Sequence, residues 1–173
     1  GVVVDLRARK ETRVLLTDDH VWNDADDGAH AYEHVRADSV HRMKEEIRAY
    51  DLATGAELWR QYVGRCYAMA AAPAGLFCDS DKSGEIVLLD RATGASRAIL
   101  APEITSNVSS IERVGSKVAV LTGSSQSAAL FDAATGAPAG TLALPYGFRV
   151  ARVRTDSICG VGFEQTSATV VCF

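Results

Sequence analysis

Every histidine of the chain, His20, His30, His34 and His41, falls within one thirty-residue stretch, TDDHVWNDADDGAHAYEHVRADSVHRMKEE, from Thr17 to Glu46. The same stretch holds Asp18, Asp19, Asp24, Asp26, Asp27 and Asp38. Imidazoles and carboxylates at this density are raw material for a metal site. His30 and His34, four residues apart, would share one face of a helix and could seat a transition metal, with Glu33 or His41 adding a ligand. The competing and stronger reading is a polar, solvated excursion. Calcium is disfavoured by register, because a loop starting at Asn23 in NDADDG puts Ala25 where an oxygen ligand is required.

The cysteines form two local pairs. Cys159 and Cys172 flank ICGVGF-EQTS-ATVVCF, and a turn centred between Gln165 and Thr166 would set them directly opposite. Cys66 and Cys78 are roughly symmetric about Ala72. Opposed strand residues bring Cβ atoms close to disulfide range. Two disulfides, and with them an oxidising compartment, are therefore expected. The alternative is four buried thiols. Zinc has no support, since Cys-x-x-Cys is absent.

Other chemistry is poorly served. Gly123-Ser124-Ser125 is not a nucleophile elbow, and no phosphate-cradling Gly-x-x-x-x-Gly-Lys-Ser/Thr run occurs. A net charge of −4 and 7% aromatic residues argue against a nucleic-acid binder. No apolar run reaches the length of a membrane span, and the N-terminal GVVVDLRARKETR lacks the features of a signal peptide. No cofactor is implied by any motif.

The elements that must carry these residues are announced by a repeat. Asp51-Leu-Ala-Thr54-Gly55, Asp90-Arg-Ala-Thr93-Gly94 and Asp132-Ala-Ala-Thr135-Gly136 recur at spacings of 39 and 42 residues. A period near forty marks a propeller blade or a helical hairpin. Apolar, β-leaning runs choose between them: EIRAY, EIVLL and SAALF precede the three copies, and ELWRQYV, ASRAILA and APAGTLAL follow. An Asp and a Thr beside a Gly make a compact turn, so each copy reads as strand, turn, strand. A residue needed in every copy is most simply a turn former, not a catalyst. Further hairpins lie upstream, in YAMAAAPAGLFCDS and VSSIERVGSKVAVLTGS, which makes four short strands per repeat.

The whole chain, 1–173, therefore reads as one all-β propeller domain of roughly four blades, with 17–46 as an inserted His/Asp-rich loop. FRVARV, SICGVGF and ATVVCF supply three strands of a last repeat, and GVVVDLRA could supply its fourth. Either the ring closes small, or it is part of a larger ring completed by further sequence or by another chain.

AYDLATGAELW resembles the tryptophan-docking repeat of the pyrroloquinoline-quinone-like (quinoprotein) propellers, with Ala49, Asp51, Thr54, Gly55 and Trp59 all matching. The later copies have Ala98 and Gly140 where the Trp would fall. The resemblance spans roughly residues 46–173 and implies a propeller in which the Trp packs between adjacent blades. It covers dehydrogenases, assembly factors and sensor domains alike. The expectation we draw is a non-catalytic, extracytoplasmic bacterial scaffold that binds protein partners. The alternatives are a ligand- or metal-sensing domain using 17–46, and a fragment of a quinoprotein dehydrogenase. An enzyme of that kind should need more blades and an aspartate base beside a calcium site.

Overall fold

HAYEHVRA, residues 30–37, has a period of two that polarity conceals. Alternate positions hold His30, Tyr32 and His34 on one side and Ala31, Glu33 and Val35 on the other, and the segment is a strand. The computed structural model describes residues 3–5, 10–12, 20–37, 44–64, 66–80, 82, 84–101, 104, 108–122, 127–145, 149–153, 157–164 and 167–172.

β1 (Val3–Asp5) and β2 (Lys10–Thr12) make a hairpin. A four-stranded sheet follows: β3 (His20–Asp26), β4 (His30–Ala37), β5 (Lys44–Asp51) and β6 (Glu57–Val63). The second contains β7 (Met69–Ala72), β8 (Gly75–Asp79), β9 (Glu85–Leu89) and β10 (Ser96–Leu100). The third contains β11 (Val108–Val114), β12 (Lys117–Thr122), β13 (Ser127–Asp132) and β14 (Pro138–Ala143). β15 (Arg149–Val153), β16 (Ile158–Glu164) and β17 (Ser167–Cys172) form a three-stranded sheet. Each sheet is an antiparallel meander, and successive sheets meet along their first strands, β3 on β7, β7 on β11 and β11 on β15. The architecture is all-β and propeller-like, and no closed ring is detected among the described residues. No helix among them is long and apolar enough to cross a membrane.

The second sheet is covered on both faces, and alternation sorts its side chains between two cores. Met69, Ala71, Leu76, Cys78 and Leu89 join Tyr32, Ile47, Ala49 and Trp59 of the first sheet. Ala70, Ala72, Phe77, Ile86 and Leu88 turn the other way, toward Ile111, Val118, Val120 and Phe131 of the third. Phe77 and Phe131 meet tilted, with centroids 5.9 Å apart. Double-sided burial explains why GLFCD of β8 is buried throughout.

The repeated pentapeptide always joins the third strand of a sheet to the fourth. Asp51 Oδ1 accepts the Thr54 backbone N–H at 2.7 Å and the Thr54 hydroxyl at 2.8 Å, and the Gly55 N–H donates to the Asp51 carbonyl at 2.8 Å. Asp90 and Asp132 do the same with Thr93 and Thr135. The glycines sit at φ of 73°, 70° and 72°, a left-handed backbone that disfavours any side chain.

Trp59 converts this turn into a joint. Its indole covers Gly94 so closely that a Cβ there would lie 2.7 Å from Cε3, and its Nε1–H donates to the Arg91 carbonyl at 2.8 Å. The absence of Trp at Ala98 and Gly140 does not leave the next seam undocked. Arg97 Nη2 donates to the Thr135 carbonyl at 3.0 Å, and Leu88 and Ile99 lie against Gly136.

Three sequence expectations are corrected. The described part of 17–46 is not an inserted loop, because 20–26 and 30–37 are the first two strands of the first sheet: β3 pairs with β4, and β4 pairs along its length with β5. Its acids misled: Asp27 turns the chain between β3 and β4, accepting the N–H groups of Ala29 and His30 on Oδ1. Secondly, Val3–Asp5 of GVVVDLRA pairs with Lys10–Thr12, and among the described residues it supplies no fourth strand to β15–β17. Thirdly, the hairpin between Cys66 and Cys78 is not centred on Ala72. Ala72 pairs with Gly75 and Met69 with Cys78, so Cys66 lies before the ladder.

Gly28 and Gly94 separate backbone cost from docking cost. Gly28 has φ of 84° with nothing within 4 Å of a built Cβ. Gly28→Ala should cost about 1–2 kcal/mol from backbone conformation alone. Gly94→Ala should add roughly 1–3 kcal/mol from the collision with Trp59. Urea midpoints at unchanged slope measure both, and equal costs would disprove the docking role.

Candidate functional site

The chemistry-bearing residues of the first sheet collect along its seam with the second. At one end of the seam, Asp27 lies beneath Arg91 of the second turn. Its Oδ2 accepts Arg91 Nη2 at 2.8 Å and the Tyr32 hydroxyl at 3.3 Å, and both carboxylate oxygens lie 3.2 Å from His30 Nδ1. Arg91 Nη2 is also 3.2 Å from that Nδ1. One ring nitrogen cannot both donate to a carboxylate and accept from a guanidinium, so the arginine's bond goes to Asp27. The Asp27 side chain is only 4% exposed. Burial pushes its carboxyl up, but the Ala29 and His30 N–H groups, the His30 ring and Arg91 together hold it below the usual carboxylate range. Tyr32 is pushed up to about 12, first by burial and then by the Asp27 charge. Its ring packs 6.0 Å from that of Trp59.

At the other end, His34 is wholly buried. Its Nε2 lies 3.2 Å from Glu45 Oε2, and the Tyr67 hydroxyl donates to Glu45 Oε1 at 3.0 Å. The Tyr67 ring tilts against the imidazole at 5.8 Å. His34 Nδ1 is buried with no hydrogen-bond partner among the described residues. Burial lowers the His34 pKa against the opposing pull of Glu45 and Asp79. On the opposite face of β5, Glu46 and Arg48 form a buried ion pair.

His30 and His34 therefore share a face of a strand, not of a helix. Four residues along a strand separate them by roughly 13 Å. Each ring is engaged by its own partners, and the structure does not bring the two together around one ion. His41 lies outside the described residues, and among the described residues no group of three or more His, Cys, Asp or Glu side chains could hold a metal. The cysteines are joined as Cys66–Cys78 and Cys159–Cys172, with Cα separations of 5.0 Å and 4.1 Å. Cys159 and Cys172 are directly opposed in the ladder. Asp51, Asp90 and Asp132 are surface acids, the first and last partly buried, held below the usual carboxylate range first by the Thr hydroxyl and then by the Thr N–H of their own turns.

Sequence reading alone did not single out Arg91, Glu45, Tyr67 or Arg97. Arg91 had one faint signal: it stands where the other two copies of the repeat have Leu52 and Ala133. Its partner Asp27 is remote in sequence, and only folding joins them.

Fold and seam define a disulfide-bonded, all-β protein of stacked antiparallel meanders. No family model and no curated protein sequence matches the chain. Among solved structures it is similar to the computationally designed Ika4 protein, at 10% identity and TM-score 0.48, covering 93% of this chain and 94% of that one. A europium-containing methanol dehydrogenase is similar at 18% identity and TM-score 0.46 over 76% of this chain. This chain spans 27% of that enzyme. The likeness to a quinoprotein is thus loose.

Two outcomes test the seam. A carboxyl with a depressed native pKa adds stability above its unfolded value, which is lost as pH falls through the native one. Replacing Asp51, Asp90 and Asp132 together by Asn should flatten the acid limb of the melting temperature between roughly pH 5 and 2. An acid limb as steep as that of the unmodified protein would exclude the turns as its source. Asp27→Ala, which strands a partly exposed Arg91, should cost about 1–3 kcal/mol in chemical denaturation.

Proposed function

We propose that this chain is a non-catalytic, propeller-like scaffold that binds protein partners in an extracytoplasmic, oxidising compartment of a bacterium. The observation that carries this reading is the outer rim of the first sheet. Leu58 and Tyr62 lie on β6, the outermost strand, and are 44% and 59% exposed, while Tyr67 on the following crossover is 51% exposed. Tyrosines at a surface offer apolar area and a hydroxyl together, which favours protein interfaces.

The candidate catalysts support the same reading by their employment. The three repeat acids accept hydrogen bonds from their own turns. Asp27 is tied to Arg91, and His34 faces Glu45. These groups fasten sheets and turns. Two disulfides fit an oxidising compartment.

The test is co-purification after crosslinking from the envelope fraction of the native host. Leu58→Asp with Tyr62→Ser should reduce recovery of any stoichiometric partner about tenfold, the equivalent of about 1.4 kcal/mol, with the far-ultraviolet dichroism unchanged. Recovery unaffected by these changes would remove the rim from the interface. Alcohol-dependent dye reduction on adding pyrroloquinoline quinone and calcium would overturn the non-catalytic reading.

A further inference from the structure

The crossover from the first sheet to the second carries three consecutive functions. Cys66 is bonded to Cys78 of β8, Tyr67 packs on His34 and donates to Glu45, and Ala68 exchanges two hydrogen bonds with Asp79. Tyr67 is half exposed, whereas Cys66, Cys78 and His34 are wholly buried. The crossover thus forms an outer wall over the buried His34 and its partner Glu45. Beneath it, His34 Nδ1 is buried with no hydrogen-bond partner among the described residues, so hydration on opening would give it one. The wall is held by the Tyr67–Glu45 and Ala68–Asp79 hydrogen bonds and, covalently, by the Cys66–Cys78 bond.

We propose that the Cys66–Cys78 bond is a redox latch, which when closed seals Tyr67 over the His34–Glu45 pair and when reduced opens residues 66–68 to water while the sheets stay folded. Reduction takes two electrons and two protons from a thiol or dithiol donor. The disulfide becomes two thiols, and the donor leaves as its own disulfide. The seam retains its other fasteners, Trp59 on Gly94 and Asp27 with Arg91, which lie on different elements.

Opening also changes how His34 titrates. Among the described residues, the ionisable groups facing it are Glu45 from β5, Asp79 from β8 and Tyr67 from the crossover. Closed, burial keeps the imidazole neutral against the pull of the two carboxylates. Open, hydration removes the burial penalty and leaves the carboxylates, so proton uptake rises. Reduction and mild acidity then favour the same open state, and each makes the other easier.

The experiment follows the ring-carbon NMR signals of the four histidines across a pH titration, with and without dithiothreitol. His34→Gln assigns the relevant peak. In the oxidised protein the His34 signal should stay static through the neutral range. After reduction, and in the Cys66→Ser/Cys78→Ser double variant, its midpoint should move up by at least one pH unit, a tenfold change in proton affinity. Tyr67→Ala, which keeps the disulfide, should produce the same upward movement by removing the wall alone. A His34 curve indifferent to reduction, or to Tyr67→Ala, would overturn the latch. So would global loss of amide dispersion on reduction, since the opening is local.

Discussion

Trp59 lying on Gly94 is the interaction on which the stacking of the first two sheets turns. The indole needs a surface without a Cβ, and the left-handed backbone at the end of each Asp-x-Ala-Thr-Gly turn supplies it. The turn is in turn held by one carboxylate oxygen that takes the Thr hydroxyl and N–H together. A local hydrogen-bond pattern thus prepares a docking site for the neighbouring sheet. The indole N–H then meets the Arg91 carbonyl and sets the register between sheets, something apolar burial alone would leave loose.

The same seam explains why a segment rich in charge can lie inside the fold. The His34 residue is wholly buried and the Asp27 side chain nearly so, yet they occupy opposite ends of an apolar centre made of Tyr32, Ile47, Ala49, Leu76 and Leu89. Asp27 is saturated by donors from its own turn and from Arg91, so it remains charged. His34 has a partner for only one of its two nitrogens among the described residues, and burial lowers its pKa. One end of the seam is a finished ion pair and the other an unfinished one. That difference is why the second end is the more responsive.

Much of the architecture was legible in sequence because it is locally encoded. Asp, Thr and Gly within five residues specify their turn without help from the rest of the chain, and three copies reveal the period. Cys159 and Cys172 were placed opposite each other by counting from one turn. The first sheet is hard to read in sequence because HVWNDAD and HAYEHVRA mix polar and apolar side chains on both faces, so no clean polar–apolar alternation marks them as strands. His34 and Glu33 look solvated in sequence and are buried in the structure. The hairpin after Cys66 was off-centre for a related reason: a run of alanines carries no register of its own.

By itself, then, the amino-acid order determined the strand–turn–strand units and the reach of the cysteine pairs, since each depends on residues within a dozen or so positions, and the recurrence of one short motif revealed the repeat. Only the tertiary structure decided what the seam contains. Arg91 had to be carried across to Asp27, Arg97 to Thr135, and Tyr67 onto His34. None of these pairings has a spacing that sequence could advertise. They arise because sheets buried on both faces must stack, and stacking brings distant side chains into dry contact, where an unmatched charge is too costly to keep.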